Sequence, residues 1–166
     1  MSNKCINCDI EIPRGVDYCP DCEARELSKI RGFLILPAIG IILSIISLSW
    51  STFQTLKILV DKFQLLTPTL TWLVSYELVG FFLLFLLSVY TCFLFFGKKK
   101  ALPKTYILLM LSGLAFHAVD VYLTHHFLAT PVASDDLRVV FHYLVSSCIW
   151  VPYFIVSVRV KRTFVK

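Results

Sequence analysis

Residues Val79–Phe96 read VGFFLLFLLSVYTCFLFF, a run without one charged side chain. A helix at a water-facing surface keeps a polar face opposite its apolar stripe, and here the apolar side chains lie all round. Eighteen residues at 1.5 Å each extend about 27 Å, close to the thickness of a bilayer's hydrocarbon core. The stretch therefore reads as a membrane span, and it sets the fold class as an all-α membrane protein.

Three further runs repeat the pattern. With the second span placed at Trp72–Gly97, the others are Gly32–Leu56, Pro103–Phe127 and Val139–Val158, which predicts four transmembrane helices. Composition agrees: 57% of the chain is hydrophobic, 16% is charged and the mean hydropathy is +0.76, whereas soluble domains carry about 25% charged residues.

The charge is unevenly placed. Residues 1–31 hold five basic and six acidic side chains, and residues 32–56 hold none. This divides the chain into a polar module over residues 1–28 and a four-helix transmembrane domain over 29–166. About thirty polar residues precede the first apolar run, which does not fit a secretory signal; that run is expected to remain as an anchor. The net charge of +5 does not point to nucleic acid, because the basic residues flank the spans where anionic lipid headgroups would meet them.

The flanking charges also predict orientation. Lys and Arg number five before the first span, four in Lys98–Lys104 and four in Arg159–Lys166. The opposite loops hold two in Lys57–Thr71 and one in Leu128–Arg138. Both termini are expected in the cytosol. The short loop Lys98–Lys104 requires the second and third helices to be antiparallel neighbours. In the first outer loop, Lys57, Asp61 and Gln64 share one helical face and Ile58, Leu59, Phe63 and Leu66 fall largely opposite, as in a surface-lying helix or a prolongation of the first span. Ser134, Asp135 and Asp136 read as an N-cap with an acidic first turn.

The strongest chemical signal is Cys5-x-x-Cys8, ten residues, then Cys19-Pro20-x-Cys22. A Cys-x-x-Cys turn brings two sulfurs onto one ion, and two such turns close a tetrahedral zinc shell with no open position. The expected cofactor is structural Zn2+ held by Cys5, Cys8, Cys19 and Cys22. Disulfides are the alternative, disfavoured in a cytosolic segment. A module of this size buries too little to fold on apolar contacts, so metal supplies most of its folding energy. The pattern Cys5-Ile6-Asn7-Cys8, Glu11-Ile12-Pro13-Arg14-Gly15 and Tyr18-Cys19-Pro20-Asp21-Cys22 resembles the minimal zinc ribbons that open many bacterial membrane proteins.

Ionisable groups within spans cost about 2.5–3.5 kcal/mol each for Asp at a helix centre, so their positions carry information. Glu77, His117, Asp120 and His142 all fall in the half of the membrane remote from the termini. Two readings stand: they pair with one another or with water and fix helix register, or they line an outward-facing cavity for a metal ion, a proton or a small cation. In the first helix Gly40, Ser44, Ser47 and Ser51 form a small-residue seam suited to close helix packing. His125 and His126 read as interfacial, Cys92 and Cys148 as packing residues, and Pro37 and Pro152 as helix bends.

The opening Gly32-Phe33-Leu34-Ile35-Leu36-Pro37-Ala38-Ile39-Gly40 and the closing Ile149-Trp150-Val151-Pro152-Tyr153-Phe154, with Ser157–Val165, resemble the YdgK-like family of bacterial inner-membrane proteins, a domain of unknown function. The resemblance implies a multi-pass protein of the inner (cytoplasmic) membrane and transfers no catalytic residues. No nucleophile–base arrangement is evident. The expectation is a non-enzymatic interaction or accessory protein whose zinc ribbon docks a protein partner, with a homo-oligomer as a further possibility. The alternative is a small transporter or ion-binding protein using the Glu/His/Asp cluster.

Overall fold

The computed structural model describes residues 3–8, 10–13, 17–27, 32–128 and 134–165. Strands β1 (Asn3–Lys4) and β2 (Glu11–Ile12) pair antiparallel with Asn3 opposite Ile12, and helix α1 (Pro20–Leu27) follows. Four long helices come next: α2 (Ile35–Lys62), α3 (Pro68–Phe96), α4 (Leu102–Leu128) and α5 (Ser134–Val156), then a short α6 (Val158–Thr163).

All four long helices are long and apolar enough to cross a membrane. They bury little against one another: at most 28% of any span's most apolar stretch is covered by the rest of the chain. Large apolar side chains such as Phe93, Leu83 and Phe82 on α3, or Phe141 and Ile149 on α5, are left outward. A water-soluble protein rarely exposes so continuous an apolar surface, whereas hydrocarbon solvates it without cost. Three hydroxyls within the spans, those of Thr52, Ser75 and Thr91, each donate to the carbonyl four residues earlier on their own helix at 2.7 Å, which serves them in a medium without water.

The first outer loop is the prolongation, not a separate surface helix. α2 continues through Lys57 and Asp61 to Lys62, and a single 3-10 turn (Phe63–Leu65) follows. At 28 residues α2 is about 42 Å long, some 12 Å more than the hydrocarbon core, so its charged end projects or the helix tilts. Thr67 then caps α3, its Oγ1 accepting from the Leu70 N–H at 3.4 Å, and Pro68 stands at the first helical position, where its missing N–H costs nothing. The α3–α4 connection is the tight turn expected, with Lys98 at φ 52° and N–H groups of Lys98 and Lys99 returning to the carbonyls of Phe95 and Leu94, a helix-ending arrangement. Pro37 occupies the first turn of α2, where proline imposes no bend; Pro152 does lie inside α5. α5 opens at Ser134, but the side chains of Asp135 and Asp136 lie outside the described residues.

In space the helices follow chain order, α2 against α3, α3 against α4 and α4 against α5. The end holding both termini is closed by a packed core of Leu34, Ile41, Phe95, Leu102, Tyr106, Leu109 and Phe154, reached by Val160 and Phe164 from the tail. Tyr106 stacks on Phe154 at 4.3 Å between centroids, and Phe33 meets Trp150 and Tyr153 at 5.3 and 5.2 Å. Phe33 stands in the 3-10 turn (Gly32–Leu34) before α2, so those last contacts join the start of the first span to α5 at this end. Towards the other end a cleft lies between α2 and α5.

Candidate functional site

The cysteine module is built from two chain reversals. The hairpin between β1 and β2 carries Cys5 and Cys8, tightened by the Cys5 N–H donating to the Ile10 carbonyl at 2.9 Å. Cys19 precedes α1 and Cys22 sits in its first turn, with Pro20 at the helix start. Cys5, Cys19, Cys22 and Ile12 make up the interior, with Tyr18 packed beside them.

The four Sγ atoms lie within 4.8 Å of one another, and Cys8 and Cys19 Sγ are 3.4 Å apart. Sulfurs at the corners of a tetrahedron with metal–sulfur bonds of about 2.3 Å stand about 3.8 Å apart, so the set fits one ion with little adjustment. All four are free thiols, which sets aside the disulfide alternative. One backbone and one side-chain donor serve the sulfurs: the Cys19 N–H points at Cys5 Sγ at 3.3 Å, and the Asn7 side-chain amide at Cys22 Sγ at 3.9 Å.

These donors separate the four thiols electrostatically. The backbone N–H groups of Asn7 and Cys19 hold Cys5 down at about 6. Hydrogen bonding among the sulfurs, first with Cys19 and then with Cys8, pushes Cys22 up to about 12. Cys8 is drawn down by the Ile10 N–H but ends above the ordinary thiol range through its contacts with the Cys19 and Cys5 sulfurs. Crowded thiols that cannot all ionise together are the condition a cation relieves.

The polar residues within the spans are distributed differently. A cleft of about 740 Å³ opens between α2 and α5, with α4 as its back wall. His117 and Asp120 from α4 and His142 from α5 all line it; Glu77 on α3 does not. His117 is stacked among aromatic rings, 4.8 Å from Tyr143 and 6.0 Å from Phe81. Among the described residues the cysteines are the set of three or more His, Cys, Asp or Glu side chains close enough to share an ion, and the quartet Glu77, His117, Asp120 and His142 does not converge in that way.

The α2 seam is also placed otherwise than expected. Gly40, Ser44, Ser47 and Ser51 line the cleft, and a Cβ on Gly40 would meet nothing within 4 Å. Close packing occurs instead at Gly80, which seats the ring of Phe116 between α3 and α4, and at Gly113, which seats Tyr143 between α4 and α5. A glycine opposite a bulky aromatic was the available signal for both pairs, and only a knowledge of helix rotation reveals it.

One contact ties the two parts of the molecule. α1 rests on α6, and Arg162 Nη1 reaches Glu23 Oε1 at 3.2 Å. α6 can lie there because Ser157 interrupts the α5 path, its Oγ accepting from the Val160 N–H at 3.4 Å as a new N-cap.

Fold and site together give four helices long and apolar enough to cross a membrane, compatible with a multi-pass membrane protein, and an N-terminal cluster of four cysteines. The chain belongs to the family described as "Protein of unknown function (DUF2569)", which matches residues 27–165 and leaves the cysteine module outside the matched segment. Neither curated proteins nor solved structures provide a match.

Proposed function

We propose that this is a non-enzymatic accessory protein of the bacterial inner membrane, in keeping with its YdgK-like resemblance, whose zinc-stabilised module docks a protein partner on the cytosolic side. The observation that carries the reading is how the module uses its apolar residues. Its interior is given to sulfur and Ile12, while Ile6 and Ile10 stand 72% and 57% exposed beside the cysteine cluster. A module this small that holds two isoleucines in water forgoes burial worth about 1.5–3 kcal/mol for each side chain, which a binding face would recover. Zinc is the ion best suited to a four-thiolate tetrahedral site closed to further ligands. The cytosolic placement rests on the excess of Lys and Arg at the end bearing both termini.

Ion passage has less support. The cleft that gathers His117, Asp120 and His142 reaches Tyr106, Met110 and Trp150, which belong to or pack against the core at the other end, so its form suits binding and not transit.

The test is a photo-reactive amino acid placed at Ile6 or Ile10 in the full chain and irradiated in living cells. A discrete protein adduct is expected, lost when Cys8→Ser removes the metal shell and absent when the reactive group stands at lipid-facing Phe93. Adducts to lipid alone, or a protein adduct that survives Cys8→Ser, overturn the reading. A thiol reagent unable to cross the membrane should leave Cys5 and Cys22 unlabelled in intact cells after metal removal; labelling would reverse the orientation.

A further inference from the structure

The cleft between α2 and α5 has three properties that together specify an occupant. The first is its reach. It extends along α2 from Gly40 to Ser51 and along α5 from Arg138 to Trp150, which at 1.5 Å per residue is about 16 and 18 Å. That is roughly half of a hydrocarbon core about 30 Å thick. A partner's transmembrane helix needs a groove across the whole bilayer, whereas this one stops at Trp150 and Tyr106. A depth of half a bilayer is that of a single leaflet.

The second property is its gradient of polarity. At the mouth, remote from the termini, stand Arg138 and His142, with Asp120 on the facing helix. Below them the wall passes through Ser47 and Ser44, and the floor is Met110, Tyr106 and Trp150. Charge at the depth of headgroups and apolar rings near the midplane is the profile of a lipid read from the outside inward.

The third is its opening. Leu43 of α2 and Val139 of α5 both line the cleft and are both exposed, so the cleft borders the hydrocarbon at its sides. Its volume of about 740 Å³ lies in the range of sites that hold small molecules, about 300–1,000 Å³.

We infer that the cleft between α2 and α5 is a binding site for a membrane amphiphile with a phosphate-bearing headgroup, its phosphate against Arg138 and His142 and one chain descending past Ser47 to Trp150. Arg offers a planar fork of donors that matches phosphate oxygens, and the serine hydroxyls meet the polar linkage between headgroup and chain. Gly40 leaves room for the chain's end, since no atom lies within 4 Å of where its side chain would begin.

The experiment uses the full chain in vesicles of phosphatidylethanolamine and phosphatidylglycerol at three to one, containing a trace phospholipid with a diazirine near the end of one acyl chain. Irradiation and peptide mapping are expected to place adducts on the segments around Met110 and Trp150, at least fivefold above those around Phe93 on the outer face of α3. The same diazirine carried on a trace diacylglycerol, which lacks the phosphate, should label the cleft no more than it labels Phe93. Arg138→Gln should weaken labelling of the cleft about tenfold while leaving Phe93 labelling unchanged. Ser47→Trp, which fills the cleft, should abolish it.

Equal labelling of cleft and outer face by the phospholipid probe, or equal enrichment in the cleft of the diacylglycerol probe, overturns the inference. So does a wild-type chain that migrates as a dimer and becomes monomeric with Ser47→Trp, since the cleft would then be a contact between copies. If Ser47→Trp fails to fold, Arg138→Gln and the diacylglycerol probe decide alone. Neither readout involves the cysteine module, so this inference and the docking proposal stand or fall separately.

Discussion

The ring of Tyr143 on α5 occupies the space in which a side chain on Gly113 of α4 would begin, with its Cε1 2.5 Å from where that Cβ would lie. Gly80 and Phe116 repeat the relationship between α3 and α4. Two glycines thus set how closely three of the four spans approach, and they do so against rigid rings that cannot swing aside as a flexible chain would.

Gly113→Ala and Gly80→Ala are accordingly expected to destabilise the helical domain. Alanine gains about 1 kcal/mol of helix propensity over glycine, but overpacking costs typically 1–3 kcal/mol and the ring clash places both sites at the upper end. Gly40→Ala keeps the propensity gain without the clash, so it should be neutral or stabilising by up to about 1 kcal/mol. Thermal unfolding of the three variants in one detergent measures the contrast; equal midpoints would refute it.

Removing one ligand should separate the two parts of the molecule. Cys8→Ser or a strong chelator is expected to reduce bound zinc from one ion per chain to none and to make residues 3–27 sensitive to protease, because metal binding worth about 10–16 kcal/mol supports comparable sites. The four spans should keep their helical signal and their insertion, since no cysteine of the cluster packs on them. Zinc content by atomic emission and limited proteolysis of the same sample give both answers.

Metal affinity should rise with pH. Cys8 lies above the ordinary thiol range and Cys22 at about 12, so both carry protons at neutral pH, whereas Cys5 at about 6 is already a thiolate. Binding must expel at least the protons of Cys8 and Cys22, which predicts a tightening of about a hundredfold per pH unit. Below about pH 6 Cys5 takes up a proton as well and the dependence should steepen. Competition with a chromophoric chelator between pH 5.5 and 8 measures this slope, and a flat profile would contradict it.

The Glu23–Arg162 pair should contribute little by itself. Its side chains are about half exposed, and exposed ion pairs give about 0.2–1 kcal/mol and weaken with salt. A double-mutant cycle with Glu23→Gln and Arg162→Gln, read by hydrogen exchange in α1, should return a coupling within that range that fades at high ionic strength. A larger, salt-insensitive coupling would show that the docking of α1 on α6 depends on this pair.

The four spans could be read in advance because a run such as Val79–Phe96 admits no other solution, and the cysteines because knuckle spacing constrains four sulfurs at once. What could not be read is rotation about each helix axis. Gly40, Ser44, Ser47 and Ser51 form the same stripe whether they press against a neighbour or border a cavity, and the stripe alone does not distinguish them. Glu77 shares its depth with His117 and Asp120, yet a turn of α3 leaves it outside the cleft they line. The end of α2 is open in the sequence for a related reason: Lys57 and Asp61 end the apolar run without ending the helix, so a prolongation and a surface-lying helix read alike.

The seating of α1 on α6 sets an order of assembly. Residues 3–27 leave the ribosome first, but the surface that receives α1 belongs to residues 158–163. The module can therefore take up its ion and fold early, yet it must wait, tethered and undocked, until the last of the four helices has entered the bilayer and Ser157 has turned the chain back toward it. A chain halted between the third and fourth insertions would display a loaded module with nothing beneath it, so a seated module reports that insertion has run its course.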